Sequence, residues 1–95
     1  MGVEQDVAQN WDDLRVFLGV ARGQSLSAAG KQLRIDPATV GRRIARLEQR
    51  MGTVLFAKSP LGYELSAAGA RLLPLAEQAE RAMGAAGDIM GGGHA

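Results

Sequence analysis

Residues 25–48 constrain the fold of this chain more than any other segment. A serine cap, Ser25 or Ser27, precedes a short helix predicted over about residues 27–34. Asp36, followed directly by proline, is the clearest helix start in the chain, because the aspartate accepts from free amides and proline has no N–H to satisfy at the first helical position. The segment therefore predicts two helices joined by a tight turn.

The second of these helices, predicted over residues 37–50, divides into faces of different character. One stripe is apolar at i, i+4 and i+7 and is expected to be buried: Val40, Ile44 and Leu47. Residues 31–50 carry six cations against two anions, whereas residues 1–13 carry four anions and no cation. Such a patch in a chain of net charge +1 is typical of a protein with a polyanionic partner, although a solvated helix face accounts for the charge equally well.

The remaining elements fit around this pair of helices. A first helix is predicted over residues 12–22, where apolar residues recur at helical spacing. Short apolar runs at residues 54–57 and 62–65 predict two strands joined by a proline-containing turn. Ser66 is suited to cap a long last helix, predicted to begin near Ala67 and to reach about Ala86. The predicted fold class is mainly helical: a winged helix-turn-helix with a two-stranded β wing and a long C-terminal linker helix.

These predicted elements divide the chain into four parts. They are a disordered N-terminal tail (1–10), a winged helix-turn-helix domain (11–66), a linker or dimerisation helix (67–90) and a glycine-rich flexible tail (91–95). Ninety-five residues suit a single domain with a modest core.

Several function classes are not expected from the composition. The chain has no cysteine and a single histidine, His94, so neither a metal site, a cofactor nor a nucleophile–base pair is expected, and an enzyme is unlikely on these grounds. No apolar run approaches the roughly 20 residues of a membrane span, and no signal peptide is recognisable. A cytoplasmic protein without a membrane partner is the default expectation.

Taken in order, the motifs of the chain resemble those of the LysR-type transcriptional regulators, specifically of their N-terminal DNA-binding domain. The resemblance covers residues 14–83. No single motif is specific to the family, and the resemblance depends on all the motifs occurring together in this order and at this spacing. The matching pieces are LRVFL at 14–18, SLSAA at 25–29, Leu33, the helix 37–44, Leu47-Glu48, Gly52, Leu55-Phe56, Gly62 and LSAAG at 65–69.

The resemblance implies that the helix 37–50 enters the major groove of double-stranded DNA while the wing reaches the backbone or the minor groove. Arg42 matches a DNA-facing arginine of the family, and a guanidinium can bind guanine through two parallel hydrogen bonds. Ser27 matches a phosphate-binding position. The expected DNA-binding residues are Ser27, Arg34, Pro37, Ala38, Thr39, Gly41, Arg42, Arg43, Arg46 and Lys58.

The resemblance also implies a homodimer formed through the linker helix, with a contribution from the first helix. The expected interface residues are Trp11, Val16, Val20, Leu72, Leu75, Ala76, Ala79 and Met83. An effector-binding domain normally follows in such proteins, so the effector site is expected to be absent from this chain, which would be a fragment or a naturally short relative.

Three positions depart from the family pattern. Pro37 and Gly41 stand where Gln and Ser are common, so few side chains of this helix are expected to read bases, and Leu61 replaces a frequent wing arginine. Two alternatives remain open at this point. One is a winged-helix module that binds proteins, favoured by the low net charge and the apolar wing, and the other is the DNA-binding domain of a molybdate-responsive-type regulator.

Overall fold

The structure, a computed structural model, describes the backbone of residues 3–90 and the side chains of residues 10–87. Within that part of the chain, four helices and one two-stranded antiparallel sheet follow each other in the order α1 (Val3–Gly23), α2 (Leu26–Leu33), α3 (Pro37–Met51), β1 (Phe56–Ser59), β2 (Gly62–Leu65) and α4 (Ala67–Met90). This arrangement confirms the predicted winged helix-turn-helix.

Helix α1 is longer than the sequence predicts. It begins at Val3 rather than at Asp12, so the expectation of a disordered tail up to residue 10 is wrong for residues 3–10. This stretch contains no glycine or proline, and Val3 and Val7 continue the helical spacing of Trp11 and Leu14, so the existing helix extends into it at little cost. The remaining tail residues predicted to be disordered or flexible, 1–2 and 91–95, lie outside the described residues.

The turn between α2 and α3 is closed by capping and by a close backbone approach. Ser25, not Ser27, caps α2, since its Oγ accepts from the amide of Ala28 at 2.9 Å. The helix ends at Arg34, whose φ of 62° lies in the left-handed region. A Cβ on Gly30 would lie 2.6 Å from the carbonyl oxygen of Ile35, so glycine is what allows the turn to fold back against α2.

The core lies where α1 crosses the helix pair and the base of the wing. Its centre is Phe17, which packs against Phe56 of β1 with ring centroids 5.3 Å apart. The buried stripe of α3 is the predicted one. The fully or nearly fully buried apolar residues are Val16, Phe17, Leu18, Val20, Ala29, Val40, Ile44, Leu47, Leu55, Phe56 and Ala76.

The wing is held against α3 by one carboxylate. Glu48 Oε2 accepts hydrogen bonds from the amides of Leu55 (2.8 Å) and Phe56 (3.3 Å). Because the Leu55 amide is bound there, the β1–β2 ladder begins only at the pair Phe56↔Leu65, two residues later than the predicted start of β1. The ladder ends at Ser59↔Gly62, which leaves Pro60 and Leu61 at the tip of the wing.

Helix α4 starts as predicted and covers the whole linker segment 67–90, past the end expected near Ala86. Ser66 Oγ accepts from the amide of Gly69 at 3.0 Å and so caps the helix. The helix continues through Pro74 to Met90, four residues beyond the expected end. Arg22 of α1 binds both carboxylate oxygens of Glu80 at 2.9 and 2.7 Å, which fixes α4 against α1. None of the helices between residues 3 and 90 has the length and apolar character needed to cross a membrane.

Candidate nucleic-acid interface

The outward face of α3 carries small side chains and one large cation. Ala38, Arg42 and Ala45 are exposed, and Gly41 is partly exposed beside them. A Cβ on Gly41 would lie 3.3 Å from Leu26 Cδ1, a tight approach that a shift of the leucine side chain by a few tenths of an ångström would relieve. The small side chains let a flat or grooved partner come close to the helix backbone. Arg42 is the cation of this face, and the exposed Gln49 lies on the same face two turns further along.

Arg42 is linked to the start of α3 through two further residues. Asp36 Oδ1 accepts from the amide of Ala38 at 3.1 Å, which caps the helix, and its Oδ2 accepts from the hydroxyl of Thr39 at 2.6 Å. Thr39 Oγ1 in turn accepts from Arg42 Nη2 at 3.0 Å. The hydrogen bond from the Thr39 hydroxyl is the main reason why the pKa of the Asp36 carboxyl lies below its ordinary value.

The other arginines of α3 face α1. Arg43 pairs with Asp12, which also binds Arg15 at 3.2 Å. Arg46 Nη2 lies 2.8 Å from Oδ1 of Asp13, whose carboxylate is completely buried. The guanidinium groups of Arg43 and Arg46 thus serve as partners of carboxylates on α1, and the predicted contact of these two arginines with DNA stays a prediction.

Arg50 completes this set of contacts between α3 and α1. Its Nη1 lies 2.8 Å from Asp13 Oδ2, and its Nη2 donates to Asn10 Oδ1 at 2.9 Å. The first contact has the distance of an ion pair without the alignment of a hydrogen bond, so Asp13 Oδ2 accepts no hydrogen bond from the described residues. Local sequence patterns do not reveal these pairs, since Asp13 and Arg46 are 33 positions apart.

A groove between α3 and the wing joins several of the predicted residues. It has a volume of about 450 Å³, and Ala38, Gly41, Arg42 and Lys58 line it together with Leu26 and Tyr63. Lys58 is exposed on β1, with its Nζ 5.8 Å from the centre of the Tyr63 ring. Leu26 and Tyr63 were not predicted as site residues, and their apolar character gave no reason to select them.

Three other predicted DNA-binding residues do not line this groove. Ser27 is exposed in the first turn of α2, and Pro37 is exposed in the first turn of α3. Arg34 is exposed at the turn between the two helices. The structure leaves all three accessible but places none of them among the residues that line the groove.

The predicted dimer interface is divided between the core and the surface. Val16, Val20 and Ala76 are completely buried within one chain, so the expectation that they contact a second chain is wrong. Their apolar spacing is the same for a core position as for an interface position, which is why the pattern misassigned them. Leu72 is half-buried against the core, whereas Leu75 is 60% exposed.

The predicted interface residues that remain accessible include three that line an apolar groove between α1 and α4. The groove has a volume of about 280 Å³, and Trp11, Ala79 and Met83 of the predicted set line it. Leu14 and Ala82, which were not predicted as interface residues, also line it. Met83 is 44% exposed there.

Comparison with known proteins gives one family. The sequence model described as "Bacterial regulatory helix-turn-helix protein, lysR family" matches residues 11–70. The mau operon transcriptional activator of Paracoccus denitrificans is 49% identical over 47 residues, which are 50% of this chain and 17% of that protein. The carbapenem-hydrolyzing β-lactamase transcriptional activator of Enterobacter cloacae is 36% identical over 75 residues, 79% of this chain and 25% of that protein.

These two curated relatives are much longer than this chain, which spans a quarter or less of their length. A solved structure of matching size is that of the CbnR_DBD–DNA complex, with a TM-score of 0.77 and 31% identity, covering 87% of this chain and 95% of that one. Since the family model covers residues 11–70, well over half of the sequence, the chain belongs to the LysR family of bacterial regulatory helix-turn-helix proteins.

Proposed function

We propose that this chain binds double-stranded DNA selectively, as the DNA-binding module of a LysR-type transcriptional regulator acting on the bacterial chromosome in the cytoplasm. The observation that carries the proposal is the outward face of α3, where Arg42 projects from a surface of small side chains beside the wing lysine Lys58. The width of an α-helix with small side chains suits the major groove of B-DNA. The likeness to a solved complex of a LysR-family DNA-binding domain with DNA supports the same conclusion.

In this proposal the residues have three roles. Arg42 binds guanine O6 and N7, while Pro37 and Ala38 contact thymine methyl groups. Lys58, Arg34 and Ser27 bind phosphate oxygens on either side of the groove, and they fix the register of α3 without reading sequence. Gly41 allows α3 to approach the bases closely.

We further propose that two copies act together on two half-sites. The apolar groove of Trp11, Leu14, Ala79, Ala82 and Met83 is a surface that one copy leaves in contact with water. A second copy covering this surface would bury it and place two α3 helices on the same side of the duplex. Half-sites read by such a dimer lie about 34 Å apart, or at a multiple of that distance.

The alternatives are not favoured. The family match is to LysR-type regulators over residues 11–70, and no observation favours the molybdate-responsive type or a protein-binding module. The exposed Leu61 at the tip of the wing was the main argument for a protein partner, and a single exposed leucine is common on folded proteins.

Enrichment of duplexes from a random pool on this chain, at physiological salt, tests the proposal. We expect a consensus with two related half-sites, and we expect Arg42→Ala to lower affinity for it by about tenfold or more. Arg81→Ala, which removes the same charge from α4, is the matched control and should leave the consensus unchanged. Enrichment of no duplex by the wild-type chain would contradict the proposal.

A further inference from the structure

We propose that Asp36 and Thr39 are positioning residues for Arg42, and that the hydrogen-bonded chain from carboxylate to hydroxyl to guanidinium sets how strongly α3 discriminates guanine. The inference rests on the proposed function, since orientation of Arg42 matters to sequence only if α3 enters the major groove. Asp36 and Thr39 then act on DNA through Arg42 and not by touching a base themselves.

The direction of each hydrogen bond in this chain follows from the chemistry of its members. An ionised carboxylate only accepts and a guanidinium only donates, whereas a hydroxyl has one hydrogen to give. Thr39 Oγ1 lies 2.6 Å from Asp36 Oδ2 and 3.0 Å from Arg42 Nη2. Its single hydrogen therefore goes to Asp36, and its oxygen accepts from Arg42. Thr39 has no hydrogen left to donate to a base or a phosphate, so a direct contact with DNA would use its second lone pair or its methyl group.

The anchor of this chain is rigid. Asp36 is held at its other oxygen by the Ala38 amide at 3.1 Å, and the proline between them fixes the backbone at the start of α3. Threonine is branched at Cβ, which restricts the rotation of its side chain in a helix. The guanidinium of Arg42 is thus the one flexible member, and the hydroxyl holds it. A group held in place before binding loses less entropy when it binds.

The other residues of the outward face make the orientation of Arg42 decisive for discrimination of guanine. Ala38, Gly41 and Ala45 present no polar side-chain group to base edges. A guanidinium discriminates guanine only when two of its N–H groups point at O6 and N7 in one plane. Arg42 donates one hydrogen of Nη2 to Thr39 and keeps its other donors for the base. Because no neighbouring polar group can compensate, a disoriented Arg42 costs discrimination more than it costs total affinity.

Replacement of single guanines tests the inference. In the duplex enriched on the wild-type chain, each invariant guanine is replaced in turn by 7-deazaguanine, which lacks the N7 acceptor. The position read by Arg42 is the one where this replacement weakens the wild type and does not weaken Arg42→Ala. We expect roughly a tenfold loss for the wild type there, within the range for a bidentate contact.

Three variants then separate orientation from folding. Thr39→Val keeps the branched shape and removes the hydroxyl, so we expect the penalty for 7-deazaguanine to fall to about threefold or less, with the melting temperature nearly unchanged. Thr39→Ser restores the hydroxyl and should restore the penalty. Thr53→Val makes the same chemical change at an exposed residue outside this face and should leave the penalty at the wild-type value.

Asp36→Asn provides a second line of evidence that does not depend on Thr39. Asparagine caps helices as well as aspartate does, so α3 should stay folded. Removal of a negative charge near phosphates should raise affinity for all duplexes, while the weaker pull on the Thr39 hydroxyl should lower the 7-deazaguanine penalty. Higher affinity with lower discrimination is a result that a purely structural role would not produce.

The outcomes distinguish this inference from the proposed function. If the wild-type chain enriches duplexes but Thr39→Val and Asp36→Asn both keep the wild-type penalty, the positioning role is wrong and DNA binding stands. The positioning role is also wrong if these variants lose affinity equally for the guanine duplex and the 7-deazaguanine duplex, because the penalty for 7-deazaguanine is then unchanged. If the wild type binds no duplex, both ideas fail together.

Discussion

Arg46 of α3 and Asp13 of α1 form an ion pair in which Nη2 lies 2.8 Å from Oδ1 and the carboxylate is completely buried. Arg50 approaches the second oxygen of the same carboxylate at 2.8 Å, and Arg43 pairs with the neighbouring Asp12. Three of the arginines that make residues 31–50 basic therefore neutralise α1. The charge left to attract a polyanion is smaller than the sequence suggests, and on α3 it is carried by Arg42.

Loss of the buried charge should destabilise the domain. Asp13→Asn keeps a side chain of the same shape and removes the negative partner of Arg46 and Arg50. Hydrogen bonds to charged groups are worth about 1.5–3 kcal/mol, and both arginines remain partly in water, so we expect the free energy of unfolding to fall by about 2 kcal/mol. Urea denaturation followed by circular dichroism measures this change.

The matched control is Glu64→Gln, the same loss of one charge at an exposed residue of β2. It should change the free energy of unfolding by less than about 0.5 kcal/mol. An equal effect of both variants would mean that net charge, and not the buried pair, determines the stability.

The salt dependence of DNA binding reports how many arginines are available. The cations exposed around the candidate interface and available to phosphates are Lys31, Arg34 and Lys58, since Arg42 is proposed to bind a base. Each phosphate contact contributes about −0.9 to the slope of log K against log salt, so three contacts predict a slope of about −3 per bound chain. Participation of the three α1-facing arginines as well would give about −5.

Two single-residue variants show which cations contribute to the slope of log K against log salt. Lys58→Gln should reduce the magnitude of the slope by about 1, because it removes an exposed cation. Arg50→Gln should leave the slope unchanged, since its guanidinium contacts Asp13 and Asn10. A shallower slope for Arg50→Gln would place that side of α3 against DNA and contradict the assignment.

Two glycines in helices should respond in opposite directions to alanine. A Cβ on Gly30 would lie 2.6 Å from the backbone oxygen of Ile35, so Gly30→Ala should cost about 1–3 kcal/mol of stability. A Cβ on Gly84 meets nothing within 4 Å, and Gly84→Ala should stabilise by up to about 1 kcal/mol. Thermal unfolding of the two variants compares them, and stabilisation by both would show that the turn tolerates the extra methyl group at Gly30.

Local signals in the sequence were enough for most of the fold. The ends of α3 were predicted closely because Asp36 caps it and Gly52 ends it with a φ of 71°, and both effects act within one turn of helix. The buried stripe of α3 followed from spacing alone. The exposed position of Arg42 followed from the same spacing.

The features that local signals did not predict depend on contacts between residues that are far apart in the sequence. The pairing of Arg43 and Arg46 with α1 was missed because their carboxylate partners lie more than 30 positions away and leave no local trace. The start of β1 shifted because Glu48 binds the Leu55 amide from another element. Val16 and Ala76 were assigned to an interface because apolar spacing does not distinguish a core from a contact with a second chain.

Dimerisation is tested by two methionines of nearly equal exposure. Met83 lines the apolar groove between α1 and α4 and is 44% exposed, whereas Met51 is 45% exposed at the end of α3. If a second copy covers that groove, Met83→Glu places an unpaired charge in the interface, which is costly to bury. We expect the dissociation constant of the dimer to rise about tenfold or more, measured by sedimentation equilibrium. Met51→Glu makes the same change elsewhere and should leave the dimer intact, so weakening by Met51→Glu alone would move the interface to the end of α3.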